Sequence, residues 1–181
     1  MYNPGSDAVM TTPPMLRQLR HDVWATEKLL AHCRALTEEQ LELTTPGTYG
    51  TIRRTLEHIV AADERYLRLL GVVVADPLLR EDHDVGLAEI SAHLDKVMAG
   101  VEKIFAGQEF DPDHVIRDER RRRPTDPPLG IEAWVPVTQF VHHGSDHRAH
   151  VGTILGAHGL ETADLDVWAL ASETGAMKPL S

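Results

Sequence analysis

Apolar residues recur at three- and four-residue steps along most of the chain, the period of a helix that buries one face. Leu16, Leu19, Val23, Leu29, Leu30 and Leu36 mark a first helix over about residues 15–35. Thr37-Glu38-Glu39-Gln40 has the spacing of a capping box and predicts a short helix, because each end of the tetrad can satisfy a free backbone N–H of the other. The Pro and Gly of "TTPGTYG" make a loop. Thr51 then opens a second long helix to about Leu70, with Ile52, Leu56, Ile59, Tyr66 and Leu69 available to a core. A third helix, capped by Asp84, carries Leu87, Ile90, Leu94, Val97, Met98, Val101 and Ile104 and ends near Gly107. Pro136 suits the first turn of a fourth, which runs to about His158 and stops at Gly159. Asp164 starts a short terminal helix from which Trp168 is expected to fold back on the bundle.

No stretch alternates with period two for long enough to form a strand, so the pattern predicts an all-α fold: four long helices with short extra ones. The connection over 107–133, containing "DERRRRPTDPP", is too long for a tight turn and predicts a crossover between helices. Its basic run Arg120–Arg123, flanked by Asp118, Glu119 and Asp126, reads as a solvated loop. Residues 1–14 read as a loose leader, 15–174 as one domain and 175–181 as a tail.

Charge narrows the class of partner. With 28 acidic against 18 basic residues and a net charge of -10, the surface suits neither nucleic acid nor an anionic membrane, which favours a small-molecule substrate. No run approaches the roughly 20 apolar residues of a membrane span. The single cysteine, Cys33, has no internal partner for a disulfide, so a reduced, cytoplasmic protein is expected.

The chemistry concentrates in "FVHHGSDHRAHVG", residues 140–152. On a helix His147 lies roughly 40° around from His143 and one turn along, whereas His142 points about 100° away. Side chains four apart have Cβ atoms about 6 Å apart, so His143 and His147 can chelate one ion. In a bundle the next ligand comes from a facing helix. His58, in "TLEHIVAADERYL", shares the side of Ile59, Ala62 and Tyr66 and is placed to face inward. Three neutral nitrogen ligands with coordination positions left over is the composition of a catalytic zinc-type site. Zinc or nickel are the expected occupants by affinity for imidazole.

The segments "YGTIRRTLEHIVAADERYL" and "VTQFVHHGSDHRAHVGTILGAHGLE", followed by the tail "ADLDVWA", resemble the DinB/YfiT-like metalloenzymes over roughly residues 16–171. That resemblance implies an up-down-down-up four-helix bundle, a homodimer, and metal ligands at His58, His143 and His147. It also implies transfer of a low-molecular-weight thiol of the bacillithiol or mycothiol type to a small electrophile. The metal would generate the thiolate, with no role for Cys33. A metal-dependent hydrolase and a non-catalytic metal-binding bundle stand as alternatives.

The family commonly continues His-Arg-x-Gln where this chain has His147-Arg148-Ala149-His150. His150 is therefore read as support for a ligand or a contact to substrate, with an alternative ligand pairing to His147 also open. Asp146 can orient an imidazole, accept a proton from bound water or face a neighbouring helix. Arg148, about 140° from His143, reads as a structural salt-bridge partner. For the dimer, Val72, Val73 and Val74 are the exposed apolar candidates.

Overall fold

The computed structural model describes residues 12–81, 85–106, 110–119, 123 and 125–180. It is mostly helical. The order is α1 (Pro14–Cys33), α2 (Glu38–Leu41), α3 (Ile52–Leu69), α4 (Leu87–Ile104), β1 (Val115–Asp118), β2 (Leu129–Glu132), α5 (Trp134–Ala157) and α6 (Val167–Glu173).

Local chemistry sets the helix starts. Thr37 accepts from the Gln40 N–H while the Gln40 side chain accepts from the Thr37 N–H, completing the capping box of α2. The Thr51 hydroxyl accepts from the Arg54 N–H at the head of α3. The terminal helix is capped by Asp166 rather than Asp164, through a 2.7 Å bond from the Ala169 N–H. The Asp84 cap and the Gly107 stop fall outside the described residues; α4 begins after Gly86 and ends before Phe105. Gly159, at φ +69°, takes the left-handed conformation that ends α5 and that only glycine adopts cheaply.

The apolar stripes meet in one core. Helix α1 packs on α4 and α5, and α3 packs on the same two. Leu19, Leu29 and Leu30 of α1, Ile52, Leu56 and Ile59 of α3, Ile90 and Leu94 of α4, and Phe140, Ile154 and Leu155 of α5 are fully buried. Each such side chain contributes about 1.5–3 kcal/mol by leaving water. Close approach of the α3–α4 connection to α4 depends on Gly100, since a Cβ there would collide with Val74. Val72 and Val74 are thereby turned toward α4, and only Val73 of that trio is exposed.

Two further expectations need correction. The fold is not purely helical: β1 and β2 form an antiparallel hairpin with Val115 opposite Glu132 and Asp118 opposite Leu129. Four residues per strand, mostly exposed on both faces, leave no apolar alternation to detect. The Arg120–Arg123 run lies outside the described residues apart from Arg123, whose N–H is held by Asp126. Trp168 does not fold back; it is 71% exposed. The tail docks instead through Leu165, packed against the core, and through Glu173, which pairs with Lys28 and accepts from the Trp24 indole.

The middle of α5 carries a second kind of interior. Its inward positions run Val137, Phe140, Gly144, Arg148, Val151, so a glycine and an arginine interrupt an apolar row. Arg148 donates to Asp22 Oδ1 at 2.5 Å, to the Asp22 carbonyl at 3.2 Å and to Thr26 Oγ1 at 3.0 Å, all buried, which makes it the structural ion-pair partner expected. Gly144 makes room for this pair. A Cβ at that position would stand 2.5 Å from Asp22 Oδ2 and 2.7 Å from Arg148 Nη1.

Candidate metal centre

One turn of α5 directs His143 and His147 to the same side, and α3, the helix facing it, presents His58 between them. The ligand atoms of the three imidazoles lie within 4.8 Å of one another. His143 Nε2 is 2.9 Å from His58 Nε2, and the ring centroids of His58 and His147 are 4.7 Å apart. Among the described residues no carboxylate or thiol joins this set.

The tautomers follow from the partners. His58 Nδ1 lies 2.7 Å from Glu81 Oε2, a carboxylate oxygen that can only accept, so Nδ1 carries the proton and Nε2 a free lone pair. In the metal-free chain His143 donates its Nε2–H to that lone pair, and for His143 Nε2 to help hold an ion its proton would move to Nδ1. The Nδ1 atoms of His143 and His147 are buried and have no hydrogen-bond partner among the described residues. Burial, followed by the neighbouring imidazoles, pulls both His143 and His147 down to about 4, so at neutral pH they are uncharged lone-pair donors. Two α5 nitrogen donors kept neutral, facing a third whose lone pair is pre-aimed, fit a divalent ion of the zinc or nickel type.

Three residues that sequence reasoning did not single out complete the surroundings. Tyr49 stacks on His58 with centroids 4.1 Å apart and meets His147 edge-on at 4.9 Å. Glu81 bonds His58 and pairs with Arg65 at 2.5 Å. Burial raises the Glu81 carboxyl, but the bonds from His58 and Arg65 outweigh it and hold the group below the usual carboxylate range. Tyr49 and Glu81 sit on loops, where no helical period marks a side chain as inward, so spacing carried no signal for either.

His150 and Asp146 stand outside the set. The His150 ring meets His147 edge-on at 5.3 Å, and its Nδ1 is buried without a partner among the described residues. Asp146 is exposed and acts on His147 only through its charge. Cys33 is buried on α1, and burial pushes its thiol up to about 12. Cavities of about 510 Å³ beside Lys103, Phe110 and Ile116, and of about 440 Å³ beside His21, Val141 and His142, are lined by none of the three histidines.

Fold and site together define a helical protein with a three-histidine centre able to hold a divalent metal. The DinB family profile matches residues 6–177, and the chain belongs to the DinB family. The crystal structure of a DinB-like protein from Bacillus cereus superposes with a TM-score of 0.60 at 20% identity, over 83% of this chain and 94% of that one, which shows a shared fold. No curated protein matches. Among the described residues no helix is long and apolar enough to cross a membrane.

Proposed function

We propose that this protein is a divalent-metal-dependent enzyme that transfers a low-molecular-weight thiol to a small electrophile. The observation that carries the reading is the convergence of His58, His143 and His147 with no fourth protein ligand among the described residues, an arrangement that leaves coordination positions for small molecules. The pairing of α1 and α3 each with α4 and α5 supports an up-down-down-up bundle around it.

When bound, a divalent ion on three neutral imidazoles supplies a Lewis acid that lowers the pKa of a coordinated thiol. The chain's own contribution is positional. Glu81 holds the His58 ring, the protein interior keeps His143 and His147 neutral, and Tyr49 covers one face of His58. Cys33, buried and protonated, cannot be the nucleophile, so the thiol must come from solution. A cytoplasmic setting, where free thiols stay reduced, suits this chemistry.

Several cofactor thiols, assayed against a model electrophile with metal-loaded, chelated and Cys33→Ser protein, test the reading. Activity is expected to require the metal and the thiol and to survive Cys33→Ser. Loss of activity in a folded, metal-replete Cys33→Ser variant would overturn the mechanism. Metal-dependent ester or amide cleavage, with no thiol-dependent rate, would put a hydrolase in its place.

The active species is proposed to be a homodimer. Val73 is 64% exposed beside the α3 C-terminus, and Val115 (60%) and Leu129 (57%) are exposed on the hairpin. Light scattering is expected to return about twice the 20.1 kDa chain mass. A monomer mass across a wide concentration range rules the dimer out.

A further inference from the structure

The contact between Glu81 and His58 differs from every other contact to the three histidines. His58 is the one member of the set whose non-ligating nitrogen has a charged partner, whereas the Nδ1 atoms of His143 and His147 find none among the described residues. Glu81 does not lie on a bundle helix. It reaches His58 from the α3–α4 connection, 23 residues further along the chain.

That connection is held by more than Glu81. The buried carboxylate of Glu64 accepts from the Leu79 N–H at 2.7 Å and pairs with His93 of α4 at 2.6 Å, which fixes the segment two residues before Glu81. Arg65, the next residue of α3, pairs with Glu81 directly at 2.5 Å, and Arg54 approaches it to 4.0 Å. The Tyr49 hydroxyl adds a weak contact at 3.4 Å while its ring stacks on His58. Arg65, Arg54 and the Tyr49 hydroxyl meet the Glu81 carboxylate itself, Glu64 restrains only the backbone that leads to it, and that carboxylate accepts from His58 Nδ1.

We propose that Glu81 is a positioning residue of the metal centre, acting through His58. Its carboxylate keeps the proton on Nδ1, turns the ring so that the Nε2 lone pair faces His143 and His147, and makes that nitrogen a stronger donor. The assignment rests on the metal reading of the three-histidine cluster. It adds to that reading an unequal division of labour: His58 is locked by a carboxylate from outside the bundle, whereas the Nδ1 atoms of the two α5 histidines have no such partner among the described residues.

The test compares wild type with Glu81→Gln, Glu81→Ala and Arg68→Ala. Arg68→Ala serves as a control, because it removes the 3.4 Å bond from Arg68 to the Ala75 carbonyl in the same connection without touching His58. Cobalt(II) is the probe, titrated against a competing chelator and followed by its visible absorption. Separately, ¹⁵N-edited NMR of the metal-free proteins reads the His58 tautomer. Wild type is expected to show the Nδ1–H form. Glu81→Ala should admit the Nε2–H form, weaken cobalt binding about 10–100-fold and alter the cobalt spectrum, with Glu81→Gln intermediate. Arg68→Ala should match wild type in all three.

Failure of wild type to bind cobalt would overturn the metal reading itself. Cobalt binding as tight in a folded Glu81→Ala as in wild type, or a wild-type His58 already in the Nε2–H form, would overturn the role of Glu81 alone. Equal weakening in Arg68→Ala would reduce Glu81 to a loop anchor.

Discussion

Single alanine replacements of His58, His143 or His147 should each strip the protein of its metal, weakening affinity on the order of a hundredfold or more, beyond the tenfold to hundredfold typical of partners that only support a ligand. Elemental analysis of the purified variants measures this directly, against about one ion per wild-type chain. Asp146→Ala and His150→Ala should retain the ion, since neither side chain belongs to the convergent set. Full metal content in His58→Ala or His143→Ala, with loss in His150→Ala, would show the ligands to be misassigned. The metal-free protein should also become less stable in acid. His143 and His147 sit at about 4 in the folded chain, below the 6.5 or so of a free imidazole. Between those values the unfolded state takes up more protons, so stability present at neutral pH is lost as pH falls from about 6.5 toward 4. Bound metal, which needs the neutral rings, leaves in the same direction.

Removing Arg148 should be the most damaging change away from the histidines. Arg148→Met is expected to destabilise the fold by about 3–5 kcal/mol, because it strands a carboxylate with no water to replace the guanidinium. Asp22 is wholly buried, and its Oδ2 has no hydrogen-bond partner among the described residues even with Arg148 in place. Asp63 is equally buried, with neither oxygen paired among the described residues; burial first, then the charge of Asp22, drives its pKa well above the ordinary range. Burial and the neighbouring Asp22 charge both favour the protonated form of Asp63. Asp63→Asn, which keeps the shape and cannot ionise, should change stability far less than Arg148→Met does. Urea melts of the two variants make the comparison, and similar losses would show that Asp63 is ionised and paired after all.

The helical frame was legible because burial on one face imposes a period, and His58, His143 and His147 fell on inward faces of helices that the same period defined. A hydrogen-bonded carboxylate supplied by a loop leaves no such trace. Glu81 stands in a short charged stretch with nothing to distinguish it from solvated neighbours, and Tyr49 lies in a segment readable only as a turn. The hairpin escaped for the reverse reason: its strands are short and wet, so no alternation was there to see. Trp168 was misread because hydrophobicity argues for burial only when a partner surface is available, and α6 buries no residue. The polar interior was half visible. Arg148 could be read as a salt-bridge partner from its angle on the helix, but its acceptor Asp22 lies 126 residues away.

The residues around the centre come from positions as far apart as Tyr49 and His147, on two helices and two separate loops. Such a site has no local precursor. A chain with α3 formed and α5 undocked holds one imidazole, and a folded α5 alone holds two with no third. Metal uptake would therefore register completed assembly rather than any single helix, and an ion at a hundred times its dissociation constant would add about 2.7 kcal/mol to the native state alone. With an ion in place the histidines would act as a clasp between α3 and α5, and the protein's resistance to unfolding would become a function of how much free metal its surroundings hold.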